Sequence, residues 1–160
     1  MEYPNNIIAC DIDNTVANQE ERFLRNFDTN RNILKSDAFS RYEMLLDKPI
    51  RDSVDVINVL GKKYNIIWVS ARKKSWHNRS VEWLKKHNFP FDKIHLVEQN
   101  DNKIKVLVEL KPIVFIDDMK YNWENFDPKP CTNFMSTLDS LNIPFEIFND
   151  NWRYIEKKYG

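Results

Sequence analysis

Five short apolar runs, rich in branched residues, alternate along this chain with segments whose apolar positions recur at helical spacing. The runs are Ile7–Cys10, Asn65–Ser70, Lys93–Glu98, Ile113–Asp117 and Phe145–Phe148. Each has the length and near-continuous hydrophobicity of a strand covered on both faces. Between them, Val54, Ile57, Val59 and Leu60 mark one face of a helix, and Val81, Trp83 and Leu84 mark a second. Ile104, Leu107, Val108 and Leu110 mark a third, and Phe134, Leu138 and Leu141 a fourth. Pro90, Pro112 and Pro144 stand after the last three, where a helix must stop before the next strand begins. This alternation predicts an α/β fold with a parallel five-stranded sheet covered by helices on both faces.

One segment breaks the rhythm. From Asn18 to Lys48 the chain is polar, with scattered Phe23, Phe27, Ile33, Leu34, Phe39, Tyr42 and Met44 and no strand pattern. It reads as a small helical cap inserted after strand 1. Residues 151–159 predict a short closing helix. The 160 residues suit a single domain over 1–160, with 18–48 as an insertion within it.

Composition narrows the chemistry. The only glycines are Gly61 and Gly160, which excludes a Walker phosphate loop and a G-x-G-x-x-G dinucleotide fingerprint. A Cys-x5-Arg phosphatase loop is also missing, because Val16 and Thr137 occupy the positions where the arginine would follow Cys10 and Cys131. Cys10 reads as a small core residue, so no disulfide framework is expected, and the chain is expected to be cytoplasmic. Lys plus Arg and Asp plus Glu each number 24, so no excess basic field draws the chain to duplex nucleic acid or an anionic membrane. A local basic patch remains open. No leader is apparent, and no run reaches the roughly 18 apolar residues of a membrane span, so no membrane partner is expected.

In a parallel α/β sheet, functional groups gather beyond the carboxyl ends of the strands. Asp11 and Asp13 follow the first predicted strand, and Ser70, Ala71 and Arg72 end the second. Lys103 opens the helix before the fourth, which ends in Asp117 and Asp118. The architecture therefore predicts that carboxylates, a hydroxyl and a cation converge at one edge. Taken singly, a D-x-D pair also suits a solvated turn, the Asp117–Asp118 pair a helix cap, and Ser70 a strand-end hydroxyl. Arg72 suits either a phosphate or an acidic neighbour. His77, His87 and His95 show no metal-ligand spacing.

The set resembles the four motifs of the haloacid dehalogenase-like (HAD) phosphohydrolase superfamily. "DIDNT" matches the D-x-D-x-T motif, Ser70 in "WVSAR" the second, Lys103 in "NKIKVLVELKP" the third and "FIDDMKYN" the fourth, over Ile7–Asn122. The resemblance implies a Rossmann-like three-layer fold with a small helical cap inserted after strand 1, and it implies that Asp11 attacks phosphorus and forms an aspartyl-phosphate, while Asp13 serves as general acid and base. It implies Mg²⁺ held by Asp11, the main-chain carbonyl of Asp13 and the Asp117–Asp118 pair, with Asp118 as direct ligand and Asp117 acting through water. Ser70 and Lys103 would bind the phosphoryl oxygens, with Ala71 and Arg72 beside them and Thr15 orienting the loop. Lys103 is preferred to Lys105 for its spacing to Asp117, and because Lys105 points about 200° away around the helix.

Two finer resemblances concern the substrate. "SARKKSWHNRSVEWLKKHNFPFDKIHLVE" is similar to small HAD members that include the phosphatase domain of polynucleotide kinase. "FEIFNDNWRY" is similar to the closing strand and turn of cytosolic-type 5'-deoxynucleotidases, although Asp150–Arg153 lacks the usual proline. Both imply phosphate cleavage from a nucleotide or a nucleic-acid end. The expected substrate is a small phosphorylated molecule of nucleotide type. A polynucleotide 3'-phosphatase and a non-catalytic phosphate-binding module are the alternatives.

Overall fold

The structure, a computed structural model, describes residues 6–160. Strand β1 (Ile7–Cys10) leads into a segment containing α1 (Gln19–Arg25), the short ribbon β2 (Phe27–Asp28) and β3 (Ile33–Leu34), and α2 (Arg41–Leu45). Helix α3 (Ser53–Gly61), β4 (Asn65–Ser70), α4 (His77–Lys86), β5 (Lys93–Leu96), α5 (Lys103–Leu110) and β6 (Val114–Asp117) follow. A second ribbon, β7 (Lys120–Tyr121) with β8 (Lys129–Pro130), precedes α6 (Thr132–Ser140), β9 (Phe145–Ile147) and α7 (Trp152–Tyr159).

The five main strands form one parallel sheet in the order β5-β4-β1-β6-β9, as the alternation predicts. Successive side chains of a strand face opposite ways, and both faces here are apolar. Ile8 and Cys10 of β1, Ile66 and Trp68 of β4, and Val114 and Ile116 of β6 join Val56, Ile57 and Leu60 of α3, Trp83 and Leu84 of α4, and Trp152 and Ile155 of α7 in one core. Ala9, Ile67, Val69 and Phe115 face the other way, onto Leu107 of α5 and Phe134 and Leu138 of α6. Burying each such large side chain contributes on the order of 1.5–3 kcal/mol, which is what fixes three layers rather than two.

The chain builds outward from β1 in one direction to β5, then returns to the other side of β1 for β6 and β9. The carboxyl ends of β1, β4 and β6 therefore flank a topological switch point, where an open α/β sheet places its ligand.

The inserted segment leaves and rejoins the sheet layer on a short stem, where Asn18 N–H donates to Lys48 O at 2.9 Å and Ile50 N–H donates to Val16 O at 2.7 Å. It is not wholly helical: the β2–β3 ribbon lies between its helices, with Phe27 opposite Leu34 and Asp28 opposite Ile33. Two residues per strand are too few to show a period of two in the sequence.

Candidate active site

Asp11 continues β1 by donating its N–H to Ile116 O at 2.9 Å, and the loop after it curls back so that Val16 and Ala17 N–H both reach Ile12 O. That turn needs a left-handed residue, and Asn14 supplies it at φ 59°. Thr15 is fully buried and joins two motifs: its Oγ1 donates to Asp11 Oδ2 and accepts from Asp118 N–H, both at 3.1 Å. Trp152 of α7 secures the same loop by donating Nε1–H to Thr15 O at 2.9 Å. Thr15 thereby ties the loop after β1 to the loop after β6.

Lys103 opens α5 and is almost completely buried, its Nζ 2.9 Å from Asp117 Oδ2 and 3.3 Å from Asp11 Oδ1. Lys105 is exposed. At the end of β6, Met119 adopts φ 56°, and its N–H donates to Asp117 Oδ1 at 2.7 Å. Asp117 is thus held from both oxygens. Asp118 Oδ2 accepts instead from the indole Nε1–H of Trp123 at 3.0 Å.

Asp11, Asp117 and Asp118 each place a carboxylate oxygen within 4.8 Å of the others, and all three are buried. Burial, and then the neighbouring Asp117, push Asp11 up to about 7. Burial and the charges of Asp117 and Asp11 push Asp118 up to about 10. Burial would also raise Asp117, but Lys103 and the Met119 N–H outweigh it and hold that carboxyl below its usual range. One ammonium among three buried carboxylates leaves the cluster short of positive charge. The donors are all hard oxygens, a set that suits Mg²⁺.

Asp13 is turned elsewhere. Arg72 holds it with two hydrogen bonds, and Arg22 of α1 places Nη2 3.6 Å from Asp13 Oδ1. Burial acts to raise Asp13, but the two guanidinium groups prevail and keep it below the ordinary carboxylate range. Arg72 directs its remaining nitrogen, Nη1, to Ser80 Oγ at 2.9 Å. Of the two partners the sequence leaves open for Arg72, the acidic neighbour is the one it contacts. The Asp13 side chain is not among the three carboxylates that cluster.

These groups line a hollow of about 370 Å³. Asp11, Asp13, Ser70, Ala71, Arg72, Lys103, Asp117 and Asp118 form its floor. Gln19, Phe23 and Phe39 from the inserted segment and Lys120–Glu124 from the loop after β6 form its walls. Ser70 is almost fully buried there, and its Oγ accepts from Arg72 N–H at 3.1 Å, which leaves the hydroxyl proton to donate. Phe23 meets Phe39 edge-on at 5.6 Å, and Phe39 stacks on Trp76 at 5.3 Å, so an aromatic chain fastens the cap to the core.

Three buried or site-facing residues lie outside the expected set. Arg22 and Asp47 are buried charges within a polar-looking segment, 3.4 Å apart through Nε and Oδ1 but out of hydrogen-bond alignment. Trp123 follows motif four in an irregular loop and carries no periodic signal. Its one legible trait is a large aromatic residue five positions beyond a candidate ligand.

The sheet order and the carboxylate-bearing loops at its switch point give an α/β domain of HAD-like architecture. The chain belongs to the family described as PITM 1-3, LNS2 domain, whose profile matches residues 8–112. That span carries Asp11, Asp13, Ser70, Arg72 and Lys103 and ends before Asp117 and Asp118. Among solved structures, a chain from the structure of the Pnkp1/Rnl/Hen1 RNA repair complex is similar with a TM-score of 0.60 and 15% identity, over 89% of this chain and 42% of that one. A chain from the structure of the Pnkp1/Rnl/Hen1 complex is similar with a TM-score of 0.58 and 17% identity, over 92% of this chain and 47% of that one. The chain spans less than half the length of these two relatives, and the likeness is one of fold. No curated protein sequence matches it significantly. Among the described residues, no helix is long and apolar enough to cross a membrane.

Proposed function

We propose that this chain is a Mg²⁺-dependent phosphomonoester hydrolase that works through an aspartyl-phosphate on Asp11, with a nucleotide-type substrate. The observation that carries this reading is the buried cluster of Asp11, Asp117 and Asp118 around Lys103 at the switch point of the sheet. A phosphate-binding module has no need of a buried carboxylate triad, which repels its ligand.

Asp11, Asp117, Asp118 and the Asp13 carbonyl would hold the ion. When bound, Mg²⁺ supplies charge that lets a phosphate dianion approach a carboxylate. Asp11 forms a bond to phosphorus through a carboxylate oxygen as the bond to the ester oxygen breaks, and Asp13, entering this step protonated, gives its proton to the leaving oxygen. Water then attacks phosphorus, the Asp11–phosphorus link breaks, and the water proton passes to Asp13. Arg72 and Arg22 keep Asp13 ionised at rest, which suits this second step; proton donation in the first step requires the Arg72 contact to loosen. Lys103 neutralises charge between Asp11 and the incoming phosphoryl group, and Ser70 donates its hydroxyl proton to a phosphoryl oxygen.

The hollow is within the size range of small-molecule pockets, which supports a mononucleotide. A nucleic-acid end is the second reading, supported by exposed Lys73, whose Nζ lies 5.6 Å from the ring centroid of Trp76, a residue lining the hollow. Phosphate release with Mg²⁺ from 5'- and 3'-nucleoside monophosphates, sugar phosphates and a 3'-phosphorylated oligonucleotide tests both. Preference for one nucleotide supports the first reading, and release from the oligonucleotide alone supports the second. Silence across the panel contradicts both and leaves the binding module.

A further inference from the structure

Resting on the metal reading above, we propose that Trp123 is a positioning residue that sets Asp118 for the metal ion. The three carboxylates of the cluster are anchored unequally. Asp11 is held by Thr15 and Lys103, and Asp117 by Lys103 and the Met119 N–H. Asp118 has its backbone N–H fixed by Thr15, but among the described residues its side chain receives one hydrogen bond, from Trp123 Nε1. An indole N–H only donates. It therefore engages Oδ2 and leaves Oδ1 with no donor among the described residues.

The loop that carries Trp123 is tied to itself by side-chain and main-chain hydrogen bonds. Asn122 and Phe126, at φ 72° and 54°, bracket the single turn Trp123–Asn125. Asn122 Nδ2 donates to Asp127 O at 3.0 Å, Asn125 Nδ2 donates to Asn122 Oδ1 at 2.7 Å, and Cys131 N–H donates to Met119 O at 2.8 Å across the base. The β7–β8 ribbon closes the loop. Its tip is seated on the cap, where the Phe126 ring meets Phe27 edge-on at 5.1 Å. Trp123 thus transmits to Asp118 a position determined by the loop and the cap together. Partners of this kind fix the orientation of a metal-binding carboxylate, and their loss commonly weakens metal affinity about 10- to 100-fold.

The test is calorimetric titration of Mg²⁺ into the intact chain without substrate, for the parent protein, Trp123→Phe and Trp123→His. Phe keeps an aromatic ring without the N–H and is expected to raise the Mg²⁺ Kd about tenfold or more; His restores a ring N–H and is expected to recover part of the loss. Equal Kd values for the parent and Trp123→Phe overturn the proposal. A loss that His does not recover makes the indole a packing element and also overturns it. A parent chain that binds no Mg²⁺ overturns the metal reading itself, a result distinct from equal affinities. A second readout needs no variant: the Trp123 indole N–H resonance is expected to shift on Mg²⁺ addition, and an unmoved resonance contradicts the assignment.

Discussion

Arg72 grips both carboxylate oxygens of Asp13, Nε to Oδ2 at 2.9 Å and Nη2 to Oδ1 at 2.8 Å. The pair spans the gap between the β1 and β4 loops and fixes both the direction and the charge of the proposed general base. A lysine cannot form this planar fork. Arg72→Lys, which keeps the charge but gives up the fork, is expected to lower kcat about tenfold or more and to cost about 1–3 kcal/mol of stability through buried hydrogen-bonding groups left unpaired. Kinetics and urea denaturation check this, and a variant with parental values on both counts would remove Arg72 from the machinery.

Lys103 and Lys105 provide a comparison within one helix. Lys103 is buried against Asp11 and Asp117, whereas Lys105 faces solvent. Removing a charge that acts on the transition state costs on the order of 10²- to 10³-fold in rate. Lys103→Ala is expected to fall in that range, with Lys105→Ala close to the parent. The opposite ranking would show that the exposed lysine reaches the substrate.

Asp47 gives stability a pH dependence. Burial, only partly offset by Arg22, pushes its carboxyl up to about 7 in the folded chain, whereas an unfolded Asp titrates near about 3.9. Between those values the folded state retains a proton that the unfolded state has released, so stability falls as pH rises through this window. The cost is complete above about pH 7, with an upper magnitude of about 4 kcal/mol. Asp47→Asn removes this titration, so its stability relative to the parent should increase between pH 5 and pH 8. Parallel denaturation curves at the two pH values would contradict the assignment.

The sheet was legible because its strands are continuous apolar runs, and burial on both faces leaves few alternatives for such runs. Asp11 and Asp117 were legible for a related reason: each sits where a strand must end, so the sequence marks its place in space as well as in the chain. The cap was harder to read. The two-residue strands Phe27–Asp28 and Ile33–Leu34 carry no period, and Arg22 and Asp47 look like surface residues until the fold pairs them across the stem. The left-handed positions were hidden as well, because the chain uses Asn14, Met119 and Phe126 where glycine would have announced a turn. Trp123 had no signal beyond its identity, since its role depends on a hydrogen bond from an irregular loop.

The most direct measurement of the central claim is the rate of phosphate release from the best substrate of the panel by the parent chain and by Asp11→Asn, each with Mg²⁺ and with excess chelator. The Asn side chain keeps the size of Asp11 but gives up the carboxylate nucleophile. The account predicts Mg²⁺-dependent turnover by the parent and a loss of about a thousandfold or more in Asp11→Asn, with an unchanged circular dichroism spectrum. Comparable turnover by Asp11→Asn, or parent turnover that is indifferent to chelation, would contradict it.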